Sequence, residues 1–160
     1  MYDFAPDTGS SPEERYRQLG EAASALIEGE SDAVANMANL AALLWEFIPR
    51  MNWAGFYRMV DGELVLGPFV GRPACIRIPV GQGVCGAAAA TGETQLVPDV
   101  HAFPGHIACD AVTRSEVVVP VIRDGKVIAV IDCDSPEDAR FEDADARGLE
   151  ALAERIAPHI

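Results

Sequence analysis

Cys75, Cys85 and Cys109 stand close together in the chain, in the segments PACIRIP, GQGVCGAAAATG and HAFPGHIACDA, each rich in glycine or small residues. A thiol that attacks an electrophile, and a second that resolves the oxidised product into a disulfide, need access and backbone freedom rather than a packed apolar wall. Cys109 is the first candidate nucleophile, because His101 and His106 precede it and either lowers a thiol pKa if protonated and near. The competing reading is a buried, inert cysteine. The companion thiols shift the balance, since a sulfenic acid needs a partner for recycling and loops permit the ~5.5–6 Å Cα approach of a disulfide. The histidines, taken alone, read as loop residues satisfied by backbone carbonyls. Zinc is the main rival for the cysteines, yet the chain has no Cys-x-x-Cys pair, the usual rigid half-site, so no metal is expected.

The segment IAVIDCDSP is a second constellation. If a strand runs through it, Ile128, Val130, Asp132 and Asp134 share one face and Ala129, Ile131 and Cys133 the other. With Glu116 at the start of the paired strand, Asp132 and Asp134 would form an acidic pocket able to hold an ammonium group and supply a proton. The alternative is a solvated strand end running into an Asp-Ser-Pro turn. Trp53 and Tyr57, four residues apart and so on one face of a strand, read as core aromatics by default and otherwise as the floor of an apolar slot beside the carboxylates. The run Ala87 to Ala90 after Gly83 and Gly86 carries neither Gly-Lys-Ser/Thr nor GxGxxG, so a phosphate loop is weakly supported.

The elements that must position these groups are legible from period and punctuation. Ser11 and Glu14 fit a capping box ahead of a helix from Pro12 to about Glu28. A second helix spans Asp32 to Phe47, with Val34, Met37, Leu40, Leu44 and Phe47 at helical spacing and Pro49 as its stop. From Asn52 the period becomes two, and Asp61-Gly62 turns a hairpin into a strand from Glu63 to Phe69. Short strands are expected at Ala74 to Ile78 and Thr94 to Val97, with a small-residue helix from Val84 to Ala90 between them. Pro98 to Ser115 reads as a long irregular loop. A second hairpin, Glu116 to Ile122 and Lys126 to Asp132, turns on Asp124-Gly125, and a last helix runs from about Glu142 to Ala157. The pattern is that of an α+β domain with a mainly antiparallel sheet.

The 160 residues suit one domain, residues 1–160, with residues 1–11 expected to be flexible. A net charge of −13 repels phosphate backbones and anionic headgroups, so neither nucleic acid nor membrane is an expected partner. No apolar run approaches the roughly 20 residues of a membrane span, and a cytoplasmic location is expected, where a disulfide is more often transient than structural.

With these residues assembled, the chain resembles the GAF-domain free methionine-(R)-sulfoxide reductase family. The resemblance runs from about Asn52 to Leu152 and rests on NWAGFY, GPFVGRPACIRIPVGQGVCG, DVHAFPGHIACDA, SEVVVP and DCDSP. It implies a GAF-like sheet of about six strands flanked by the N- and C-terminal helices, a homodimer, and reduction of free methionine-(R)-sulfoxide. It further implies Cys109 as catalytic cysteine, Cys75 as resolving cysteine and Cys85 as an auxiliary thiol. Glu116, Asp132 and Asp134 would be the substrate's acidic ligands, with Trp53 and Tyr57 lining the pocket. Recycling would pass through a Cys109 to Cys75 disulfide reduced by thioredoxin, with no bound cofactor. Cys133 departs from the family pattern, which usually has an aliphatic residue between the two aspartates. The rival expectations are a GAF ligand-sensing module and a thiol redox sensor without turnover, since a fold does not fix a function.

Overall fold

The structure is a computed structural model that describes residues 4–107 and 110–160. Cys109, the expected nucleophile, lies outside the described residues. Helix α1 (Pro12–Ile27) begins where the Ser11 hydroxyl accepts the Glu14 N–H at 3.2 Å. The expected capping box is half formed, because the Glu14 carboxylate turns instead to Arg17 and Gln18. Helix α2 (Ala33–Phe47) is capped by Asp32, whose carboxylate accepts the Ala35 N–H. Met37, Leu40, Leu44 and Phe47 are buried as the spacing predicts, whereas Val34, in the first turn, is 54% exposed.

Six strands follow: β1 (Trp53–Val60), β2 (Glu63–Gly71), β3 (Arg77–Pro79), β4 (Gln95–Val97), β5 (Ser115–Arg123) and β6 (Lys126–Ser135). Helix α3 (Gly83–Thr91) joins β3 to β4, and α4 (Asp143–Ile156) follows β6. All neighbouring strands are antiparallel, in the order β3-β2-β1-β6-β5-β4. This is the α+β architecture expected from the alternation of periods. Asp61-Gly62 and Asp124-Gly125 both have positive φ, the backbone of a tight two-residue hairpin turn.

Alternation along the strands makes two cores. Ala54, Phe56, Val117, Val119, Val121, Ala129, Ile131 and Cys133 point to one face, under α1, α2 and α4. Trp53, Tyr57, Leu64, Val118 and Val130 point to the other, where α3 contributes Val84, Cys85, Ala88 and Ala89. The terminal helices therefore cover a single face, and the opposite face is left for α3 and the loops.

Three departures from the sequence reading have local causes. Between Val121/Ala129 and Ile122/Val127 the β5–β6 ladder slips by one residue, and the extra residue is Ile128. This bulge sends Ile128 to the three-helix face, so it does not share a face with Asp132 and Asp134. Strand β3 starts at Arg77 rather than Ala74, since the Cys75 carbonyl accepts the Tyr57 hydroxyl at 3.0 Å instead of joining the ladder. A short 3-10 turn, Val100–Ala102, capped by Asp99, interrupts the long loop before β5. Among the described residues no helix is long and apolar enough to cross a membrane.

Candidate active site

The β5–β6 register sets Glu116 directly opposite Asp134 and Val118 opposite Asp132. On the other side of β6, β1 places Trp53 opposite Asp134 and Gly55 opposite Asp132. Because alternate residues share a face, all three carboxylates emerge on the α3 side, and Gly55 contributes no side chain to fill the space beside Asp132. A Cβ at Gly55 would lie only 2.7 Å from Phe69 Cα and Pro68 O, because β2 bulges here and presses its backbone against β1. Phe69 then stacks on Trp53, with centroids 5.2 Å apart, and Trp53 lies 5.9 Å from Tyr57.

The result is a pocket of about 530 Å³, mouth included. Glu116, Asp132, Asp134 and Cys85 line it beside Trp53 and Tyr57, with Ile78, Val84 and Ile107 adding apolar surface and Arg72, His106, Asp110 and Thr113 polar surface. Glu116 and Asp132 are each 6% exposed, Asp134 is half-buried and Cys85 is 4% exposed. Burial, followed by repulsion from Asp132 and Asp134, pushes the Glu116 carboxyl well above its ordinary range. Asp132 is raised by burial to about 7, partly offset by hydrogen bonds from Cys85 and Glu116. Burial and then the Asp132 charge raise Asp134 as well. These groups can therefore hold protons near neutrality.

The aromatic pair does more than form a wall. Trp53 Nε1 donates to the Arg72 carbonyl at 3.2 Å and the Tyr57 hydroxyl to the Cys75 carbonyl at 3.0 Å, fixing the loop that carries Cys75. Cys75 is disulfide-bonded, whereas Cys85 and Cys133 are free thiols. Cys85, from α3, has its Sγ 4.0 Å from Glu116 Oε1, and burial raises its pKa. Cys133 is fully buried on the opposite face of the sheet, as alternation requires. His106 reaches the pocket, where burial and then the charge of His101 lower its pKa.

Sequence reasoning missed Asn52, Asp110 and Thr113. Asn52 donates from Nδ2 to Thr113 Oγ1 at 2.9 Å and to Asp110 Oδ2 at 3.3 Å, while its backbone N–H donates to the Asp134 carbonyl. These bonds tie the segment just after Cys109 to the mouth of the acidic pocket. The available signal was Asn52 itself, a polar residue immediately before an apolar strand. Cys85 Sγ, Glu116 and Asp132 also bring donor atoms within 4.8 Å of one another, a grouping that Cys-x-x-Cys spacing does not reveal because three separate elements supply it.

The fold is that of a GAF domain, and the GAF domain family matches residues 34–160. The chain is 48% identical over 143 residues to the free methionine-R-sulfoxide reductase of Escherichia coli, covering 89% of this chain and 87% of that protein. It is 46% identical to the protein of the same name from Saccharomyces cerevisiae, over 90% and 84% of the two chains. A solved structure of the free methionine-R-sulfoxide reductase of Neisseria meningitidis in complex with its substrate superposes with a TM-score of 0.90. That structure is 45% identical, and 95% of this chain and 92% of that one are covered. The chain belongs to the free methionine-R-sulfoxide reductase family of GAF-domain proteins.

Proposed function

We propose that this protein reduces free methionine-(R)-sulfoxide to methionine, with Cys109 as nucleophile and Glu116, Asp132 and Asp134 as the groups that recognise and protonate the substrate. The observation that carries the reading is the trio of carboxylates with raised pKa values, Glu116 and Asp132 buried and Asp134 half-buried, beside an aromatic wall. Such a pocket has a use for a cation. A free amino acid brings an ammonium group that a peptide-bonded methionine lacks, so the acids select the free form. Arg72, the one cationic side chain among the described lining residues and 4.0 Å from Asp110, is the group we assign to the carboxylate at the other end of the substrate.

The Cys109 thiolate attacks the sulfoxide sulfur, and the sulfoxide oxygen accepts a proton from a carboxyl that burial has kept protonated. The oxygen is transferred to the cysteine as a sulfenic acid, and methionine, reduced by two electrons, leaves. The Cys75 thiol then attacks the sulfenic sulfur, releasing water and forming the Cys75–Cys109 disulfide. That Cys75 is disulfide-bonded while Cys85 and Cys133 are free supports this pairing. A dithiol reductant such as thioredoxin returns both thiols, so no bound cofactor takes part. We place the enzyme in the cytoplasm as a homodimer, in keeping with a thiol cycle that needs a reducing compartment.

Consumption of free methionine-(R)-sulfoxide in the presence of thioredoxin, its reductase and NADPH tests the proposal. Wild type should turn over, Cys109→Ser should lose turnover while keeping its fold, and Cys75→Ser should release one methionine per site and stall. Wild type without steady-state turnover, or Cys109→Ser with more than a few per cent of wild-type activity, refutes it.

A further inference from the structure

The Cys85–Glu116–Asp132 cluster has the composition and spacing of a metal site as well as of an ammonium pocket. We propose that it binds Zn²⁺, or another thiophilic divalent cation, and that the metal and the free amino acid exclude one another.

Three observations carry this. The donors are a thiol and two carboxylates whose ligand atoms lie within 4.8 Å of one another, and Cys85 Sγ stands 4.0 Å from Glu116 Oε1. Zinc with bonds of about 2.3 Å to sulfur and about 2.0–2.2 Å to oxygen spans roughly 3.3–3.7 Å between ligand atoms, so a contraction of about 1 Å closes the site. Each donor sits on a different regular element, α3, β5 and β6, which fixes its direction. Finally, Asp132 Oδ1 is buried without a hydrogen-bond partner among the described residues, although its residue is only 6% exposed. A buried carboxylate oxygen left unpartnered is costly and gains most from a cation.

The thiol sets the choice of ion. Magnesium and calcium prefer all-oxygen sites, whereas a thiolate with two carboxylates suits zinc or cadmium. Binding replaces the Cys85 S–H bond with a metal–sulfur bond and releases that proton to solvent, together with any proton held by the two carboxyls. With three protein ligands, the fourth position faces the pocket, where a water completes the shell. The metal fills the place assigned above to the substrate ammonium, so free zinc acts as a reversible inhibitor of the reductase. This exclusion rests on the proposed function; the metal site does not.

The test uses intact protein with Cys75 in its disulfide, so that Cys85 and Cys133 are the thiols available to metal. Co²⁺ and Zn²⁺ are titrated by calorimetry and absorption. The expected result is one equivalent bound, a thiolate-to-Co²⁺ charge-transfer band, and release of protons. Cys85→Ala and Cys85→Ser, each checked for native circular dichroism, should lose the band and weaken binding by more than about a hundredfold. Cys133→Val should bind as wild type does. Absence of binding, or binding with an unchanged band in both Cys85 variants, overturns the site. Free methionine should displace the metal. If zinc binds through Cys85 but methionine fails to displace it, the site stands and the exclusion falls, with the ammonium reading rather than the metal reading at fault.

Discussion

Replacing Asp132 with asparagine keeps the shape of the side chain and removes its charge, which should make the protein more stable and less active. Burial moves the Asp132 carboxyl from its ordinary 3.8 to about 7, so the folded protein retains a proton there that the unfolded chain has released. The sign follows from linkage. Where the native state binds more protons, stability falls as pH rises, so the contribution of Asp132 is intact below about pH 4 and is lost as pH climbs through about 7. Each pKa unit is worth 1.36 kcal/mol, which sets an upper bound of about 4 kcal/mol, and exchange of protons with Glu116 and Asp134 reduces it to roughly 1–3 kcal/mol. Asp132→Asn escapes this cost. Urea and thermal melts of wild type and variant, with Cys75 in the same oxidation state, should differ little at about pH 4 and below, diverge between about pH 4 and 7, and reach a plateau near pH 8. At about 3 °C per kcal/mol, the variant should then melt roughly 3–9 °C higher. A variant less stable at pH 8, or a difference that ignores pH, would show that this carboxyl is not strained by burial.

Glu116→Gln and Asp134→Asn should lower kcat/KM for free methionine sulfoxide by roughly 2–4 kcal/mol, about 30- to 1000-fold, and N-acetylated methionine sulfoxide, lacking an ammonium group, should be a poor substrate for wild type. Equal wild-type rates on the two substrates would remove the ammonium argument. Tyr57→Phe deletes the hydrogen bond to the Cys75 carbonyl, so steady-state turnover should fall while the first turnover, measured by rapid quench, stays near normal. A slowed first turnover would instead make Tyr57 part of the attack on substrate. Cys133→Val should retain normal turnover with a stability change of about 1 kcal/mol, read by thermal melts, because its side chain packs only on the three-helix face.

Legibility from sequence differed by the range of the interaction involved. Asp61-Gly62 and Asp124-Gly125 announce their hairpins because a two-residue turn needs positive φ at both positions, and this is written in two adjacent residues. The alternation in IAVIDCDSP likewise put Asp132 and Asp134 on one face and Cys133 on the other, and it failed only at Ile128, where a bulge restarts the count. The approach of Cys85 to Glu116 carries no comparable signal, since it depends on how α3 packs across the sheet. The Asn52–Asp110–Thr113 bonds are hidden for the same reason, each joining residues far apart in the chain.

The order of the strands has a consequence for how the chain acquires its shape. β1, β2 and β3 form one meander and β4, β5 and β6 another, each built largely from neighbours in sequence, and among the described residues the two halves are joined by the central β1–β6 ladder alone. The Tyr16 hydroxyl on α1 bonds Asp145 on α4 across 129 residues, reinforcing the same seam. Contacts so distant along the chain must overcome loop-closure entropy before they return any stability, so joining the two halves carries a larger entropic cost than forming either meander. The acidic pocket straddles that seam, with Trp53 and Gly55 on one side and Asp132 and Asp134 on the other. The site therefore comes into existence only when the two halves join, and neither half alone displays it.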